Sequence, residues 1–216
     1  NAFIHSTAKV GLNVHIYPFV FIGENVEIGD NCILYSNVSV YARCKIGSNC
    51  IIHSGAVIGS DGFGFAPQAD GSFKKVPQIG NVIIEDDVEI GAGCTINKGV
   101  SGDTIIGEGS KLDCQIHIGH GVVVGKNCLF AAQVGIGGKT IIEDNVVLYG
   151  QVGVAQAITI GKGAIVLATS GVSKSLEGGK LESGRTDRSL CQSRGEIFRF
   201  PGQPSRQFRQ FQFPLP

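Results

Sequence analysis

The chain has 216 residues, with 18 Lys and Arg against 18 Asp and Glu. That length suits one domain with a tail, and the balanced charge excludes a partner held by neutralising nucleic-acid phosphates. No apolar run approaches the ~18 residues of a membrane helix, the start lacks the basic-then-apolar pattern of a signal peptide, and with Trp absent and aromatics at 7% a large aromatic core is excluded.

Glycine is the outlier, at 32 residues. It is mixed with Val and Ile and has no collagen triplet, which argues for order. From the start, an aliphatic residue recurs at every sixth position: Ile4, Val10, Ile16, Ile22, Ile28, and on to Ile58. The period resumes at Ile84, Ile90 and Ile96, slips by four residues, and runs from Ile106 through Val172. A period of six fits neither a helix nor an alternating strand. It fits a short strand and a tight turn, repeated, with three hexads to a triangular coil. The expected fold is all-β: a parallel β-helix of about eight coils, roughly 40 Å tall at ~4.8 Å per coil. The known architecture of such prisms adds the left hand, against the usual crossover rule. Corners need left-handed backbone, which Asn and Gly accept, as at Asn25, Asn31, Asn49, Asn127 and Asn145.

Cys32, Cys44, Cys50, Cys94 and Cys128 share position five of their hexads with Val and Ala, which marks a small buried site. These cysteines read as core residues rather than a disulfide or zinc framework. Reduced thiols imply an intracellular, cytoplasmic setting.

Two segments break the period. Residues 60–78 (SDGFGFAPQADGSFKKVPQ) are expected to leave the rod as an extruded loop. Its aromatics Phe63 and Phe65, set between glycines, suit ligand or subunit contacts. The second break is the slip at 100–104. The β-helix domain is assigned to 1–176, and 177–216 to an irregular Pro-rich tail, partly helical or without fixed structure.

Among the five histidines, His117 and His120 cluster in KLDCQIHIGHGVVVG. His120 falls near a corner and faces outward. Eighteen residues on, one coil up, stands Gly138, whose amide can donate to an oxyanion beside the imidazole. A base and a backbone donor are the minimum for acyl transfer. A zinc site needs a third converging ligand, which the sequence does not offer, so no metal is expected. There is no phosphate loop and no GxSxG nucleophile.

The stretches IIHSGAVIGSDGFGFAP (51–67), KVPQIGNVIIEDDVEIGAGCTIN (75–97), GDTIIGEGSKLDCQIHIGHGVVVG (102–125) and AAQVGIGG (131–138) resemble the UDP-3-O-acylglucosamine N-acyltransferase family of lipid A synthesis. The resemblance covers roughly residues 1–176. It implies a homotrimer that moves a 3-hydroxyacyl chain from acyl carrier protein to the 2-amine of a UDP-sugar. It requires no cofactor beyond the carrier's phosphopantetheine thioester, which is a co-substrate. It sets His120 as the catalytic base, Gly138 as the oxyanion amide and Asp113 as an orienting acid; beside them, His117, Phe63 and Phe65 are assigned to the substrate from their own placement. Met is absent, so the chain lacks its own initiator and reads as a fragment or processed form, with the family's uridine-binding domain upstream.

The chain also departs from the family. A second family histidine falls at Ala157 in GQVGVAQA, the TIDRG motif reads Thr95-Ile96-Asn97-Lys98-Gly99, and Gly121 follows His120. Two alternatives accompany the enzyme reading: a degenerate relative serving as a trimeric binding or structural module, and a carbonic-anhydrase-like zinc protein.

Overall fold

A computed structural model describes residues 1–184. Every regular element among them is a strand, most only two residues long. Phe3–Ile4, Lys9–Val10 and His15–Ile16 open three parallel sheets of nine, eight and nine strands, which form the first, second and third faces of a left-handed triangular β-helix. In most of the two-residue strands the second residue points inward. Ile22, Leu34, Ile52, Ile58, Ile96, Ile118 and Ile136 are all buried. Burying each such side chain contributes about 1.5–3 kcal/mol.

The height exceeds the expected eight coils on two faces, with nine strands each. On the first face the ninth is Gly171–Val172, and on the third it is Leu181–Glu182, which pairs in parallel with Ile165–Val166. The ladder therefore runs on past residue 176. Main-chain hydrogen bonds carry this last rung after the hexad side-chain pattern has lapsed. The tail from 185 to 216 lies outside the described residues.

The corners adopt the left-handed backbone foreseen for them, with φ of 53° at Asn25, 57° at Asn31, 58° at Asn49, 53° at Asn127 and 59° at Asn145. Side chains from the next coil tie these corners together. Along the edge after the second face, Asp30 Oδ1 accepts from the Leu12 amide at 2.7 Å, Asp86 Oδ1 from Ser48 at 2.7 Å, and Asp144 Oδ1 from Lys126 at 2.9 Å. Such caps satisfy amides that the ladder leaves open.

The five hexad cysteines are buried and unbridged, and Cys114 is exposed. Burial pushes the Cys44 and Cys94 thiols up to about 11. Iodoacetamide is therefore expected to modify Cys114 well before Cys44 and Cys94, since the thiolate is the reactive form. Peptide mass mapping of the folded chain checks this, and equal rates at the three sites would contradict it.

Both interruptions are absorbed and the faces resume their stacking, with one local register shift between Ile58 and Ser60 where the loop departs. Stacked residues are 18 apart in most coils, but Ser48 meets Asp86, 38 residues on, across the first break, and Thr95 meets His117, 22 residues on, across the second. The extruded segment contains an antiparallel hairpin, Phe65–Pro67 against Phe73–Lys75.

Candidate active site

His120 follows the inward Ile118 on the first face and sits at its corner. Gly138 lies one coil up, where the Lys139 amide donates to the His120 carbonyl at 2.8 Å. A Cβ on Gly138 would stand 2.7 Å from His120 Nε2, so only glycine admits the ring there. From the other side the extruded loop closes in, since a Cβ on Gly62 would stand 2.7 Å from His120 Cβ. The imidazole is thus held between two bare backbones.

Its Nδ1 is buried and has no hydrogen-bond partner among the described residues. A buried unpaired nitrogen costs about 1–3 kcal/mol, a cost that packing alone does not explain. The amides of His120 and Gly138 likewise meet no acceptor among the described residues. The acid caps of the second-face edge have no counterpart above them. Gly138 holds the capping station over His120 and has no side chain to offer. An imidazole and an open amide therefore share one cleft of ≈ 260 Å³, lined also by Phe63, His117, Asn97 and Gln156.

His117 points out from the first face into the same cleft. Its Nδ1 shares a 2.8 Å hydrogen bond with Thr95 Oγ1, and burial holds its pKa below the usual histidine value. Phe63, 88% exposed, walls the cleft and meets Phe65 edge-on at 5.1 Å. Phe65 is not part of that cleft. It lines an adjoining apolar pocket of ≈ 440 Å³ with Phe63 and Phe73.

Asp113 departs from expectation. It follows Leu112 on the third face, seven residues before His120, and so occupies a different edge of the coil. Its Oδ1 accepts from the Cys114 amide at 2.7 Å. Within this chain it does not orient His120.

Five further residues shape the site, and the sequence reading assigned none of them a role there. Gly62 makes the close approach of the loop possible. Asn97 Nδ2 donates to Ser60 Oγ at 3.0 Å and to the Asp61 carbonyl at 3.1 Å, fixing the loop's root. Asp61 is in turn ion-paired with Lys75 and, at 2.9 Å, with Lys98, and hydrogen bonds from these two hold its carboxyl below the usual carboxylate range. The buried Thr104 hydroxyl donates to the Asn97 carbonyl at 2.6 Å and accepts from Gly121 N–H at 2.8 Å, joining the four-residue slip to the His120 corner. Gln156 sits one coil above Gly138, a position that a count of 18 residues from Gly138 would have reached.

Above the cleft, the first face presents Gly135, Gly153 and Gly171 in register. A Cβ on any of the three would meet nothing within 4 Å, and none has a positive φ. Neither packing nor backbone explains them. Their shared surface is a groove of ≈ 330 Å³, joined to the cleft at Gly135. A larger hollow of ≈ 550 Å³ lies on the second face beside the Lys9–Glu27–Lys45 ion ladder, away from this edge. Among the described residues no group of three or more His, Cys, Asp or Glu could hold a metal ion. No helix there is long and apolar enough to cross a membrane.

Triangular coils of hexads, with a histidine and a bare glycine stacked at one corner, define a hexapeptide-repeat β-helix built to act on a ligand at its edge. The bacterial transferase hexapeptide (six repeats) matches residues 7–40, 25–60 and 103–138, and the hexapeptide repeat of succinyl-transferase matches 81–113. These matches together cover more than half of the chain, which belongs to the hexapeptide-repeat transferase family. The UDP-3-O-acylglucosamine N-acyltransferase of Dechloromonas aromatica is 58% identical over 77 residues, 36% of this chain and 22% of that protein. The matched stretch thus spans about a fifth of that relative's length. The UDP-N-acetylglucosamine acyltransferase of Francisella novicida aligns with a TM-score of 0.77 at 29% identity, over 84% of this chain and 64% of that one. The UDP-N-acetylglucosamine O-acyltransferase of Moraxella catarrhalis gives 0.72 at 30% identity, over 84% and 71%.

Proposed function

We propose that the chain carries the transfer site of a UDP-3-O-acylglucosamine N-acyltransferase in lipid A synthesis. It takes a 3-hydroxyacyl chain from the phosphopantetheine thioester of acyl carrier protein and works in the cytoplasm as a homotrimer. The observation that carries this reading is the imidazole of His120 lying against the bare Cα of Gly138, with an open amide beside it. The 58% identity to an N-acyltransferase favours an amine acceptor over the hydroxyl acceptor named for the Moraxella structure.

The proposed step needs no acyl-enzyme. His120 takes a proton from the neutral sugar amine as its nitrogen attacks the thioester carbonyl. The carbonyl oxygen becomes an oxyanion and accepts from Gly138 N–H. Collapse forms the amide, breaks the C–S bond and expels the phosphopantetheine sulfur, which receives the proton held by His120. Phe63 and the Asp61-anchored loop keep water from the thioester. The glycine groove suits a linear apolar chain lying against uncovered backbone.

The direct test is incubation of the chain with 3-hydroxyacyl carrier protein and UDP-3-O-acylglucosamine, with mass spectrometry of the sugar. A new amide supports the reading, and an unchanged sugar at micromolar protein rules it out. The groove adds a second expectation. Gly153→Leu should leave the unfolding midpoint unchanged, because nothing in the fold opposes a side chain there. Activity should fall at least tenfold for the longest acyl donor that the parent accepts and should be retained for short ones. A uniform effect across chain lengths would argue against the groove.

A further inference from the structure

His120, Gly138 and Gln156 form one vertical file, each 18 residues and one coil above the last. The Ala157 amide donates to the Gly138 carbonyl at 2.9 Å, as Lys139 does to His120 at 2.8 Å, so the stacking repeats without slip. We infer that Gln156 is a second oxyanion donor, its carboxamide N–H acting beside the Gly138 amide. This rests on the transfer reaction proposed above.

Four observations carry it. First, Gln156 lines the same cleft as His120 and Gly138. Second, side chains at this station aim at the corner amide one coil below. On the second-face edge Asp30, Asp86 and Asp144 all do so, at 2.7, 2.7 and 2.9 Å. Gln156 holds the equivalent station over the open Gly138 amide. Gln156 is one methylene longer than the aspartates, and it lines the cleft rather than capping that amide.

Third, the Gln156 amide is uncommitted. On the neighbouring edge Gln133 donates its amide to Gln115 Oε1 and Gln151 its amide to Gln133 Oε1, each at 2.8 Å. Gln156 is exposed and has no hydrogen-bond partner among the described residues. Fourth, the adjacent residue offers no donor. Ala157, at φ 57°, turns the corner with a methyl group where the resembled family sets a histidine. A developing oxyanion above His120 therefore meets one fixed backbone donor and one side-chain donor from the coil above. Two such donors are the usual complement of an oxyanion hole.

The experiment compares the parent chain with Gln156→Ala and Gln156→Glu, measuring kcat and KM for both substrates. The assignment predicts that Gln156→Ala lowers kcat by about 10²–10³-fold, with both KM values within about twofold. Gln156→Glu, which replaces the donor with a negative acceptor, should be no better. The unfolding midpoints should match the parent's, because the side chain is exposed. A Gln156→Ala kcat within threefold of the parent, or a change confined to KM, overturns the assignment while leaving the transfer reaction standing. If the folded parent forms no amide at all, the transfer reading fails and Gln156 loses its role with it.

Discussion

His120→Ala is expected to lower kcat for amide formation by about 10²–10⁴-fold, the usual worth of a positioned general base, without lowering the unfolding midpoint. The two halves of that expectation come from one geometry. The ring stands between Gly138, whose Cβ would lie 2.7 Å from Nε2, and Gly62, whose Cβ would lie 3.1 Å from Cγ and Cδ2, so the fold keeps room for the imidazole and for little else. Its Nδ1 is buried and unpaired among the described residues, so removing it deletes a destabilising group. Loss of function with equal or higher stability is the mark of a site kept for chemistry. Rate measurement together with thermal unfolding checks both halves. A kcat within threefold of the parent, or a clear drop in midpoint, would assign His120 to the scaffold.

The largest effect on stability belongs to Phe130→Ala. Phe130 is the bulkiest fully buried side chain among the described residues and stacks on the third face between Leu112 and Leu148. Truncation should cost about 3–5 kcal/mol, because the rungs above and below are pinned by ladder bonds and cannot collapse into the cavity. Urea unfolding of parent and variant, compared at equal protein concentration, measures it. A loss below about 1 kcal/mol would mean that the coil relaxes around the gap.

The column was legible because one constraint, an inward aliphatic at each sixth place, repeats without competition. The corner asparagines and the buried cysteines follow from the same period. The His120–Gly138 pair was legible for the same reason, since stacking reduces to counting. Contacts outside the period were not legible. Nothing in the spacing announces that Asp61 is gripped by Lys75 and Lys98, or that Thr104 bridges Asn97 and Gly121, because the hairpin and the slip bring these residues together by their own paths. Asp113 shows the converse. A spacing of seven looks close along the chain, yet on a three-sided coil it carries the carboxylate round to another edge. Gln156 stands within reach of the same count, one coil above Gly138 and one residue before Ala157.

The ladder also closes beneath the hairpin, where Ile58 pairs directly with Ile96 and Ile46 with Ile84. The hairpin is therefore an appendix on a continuous wall. The hairpin tip could be exchanged for segments of other lengths without rebuilding the storeys on either side, so long as Gly62 and Phe63 at its root keep their places beside His120.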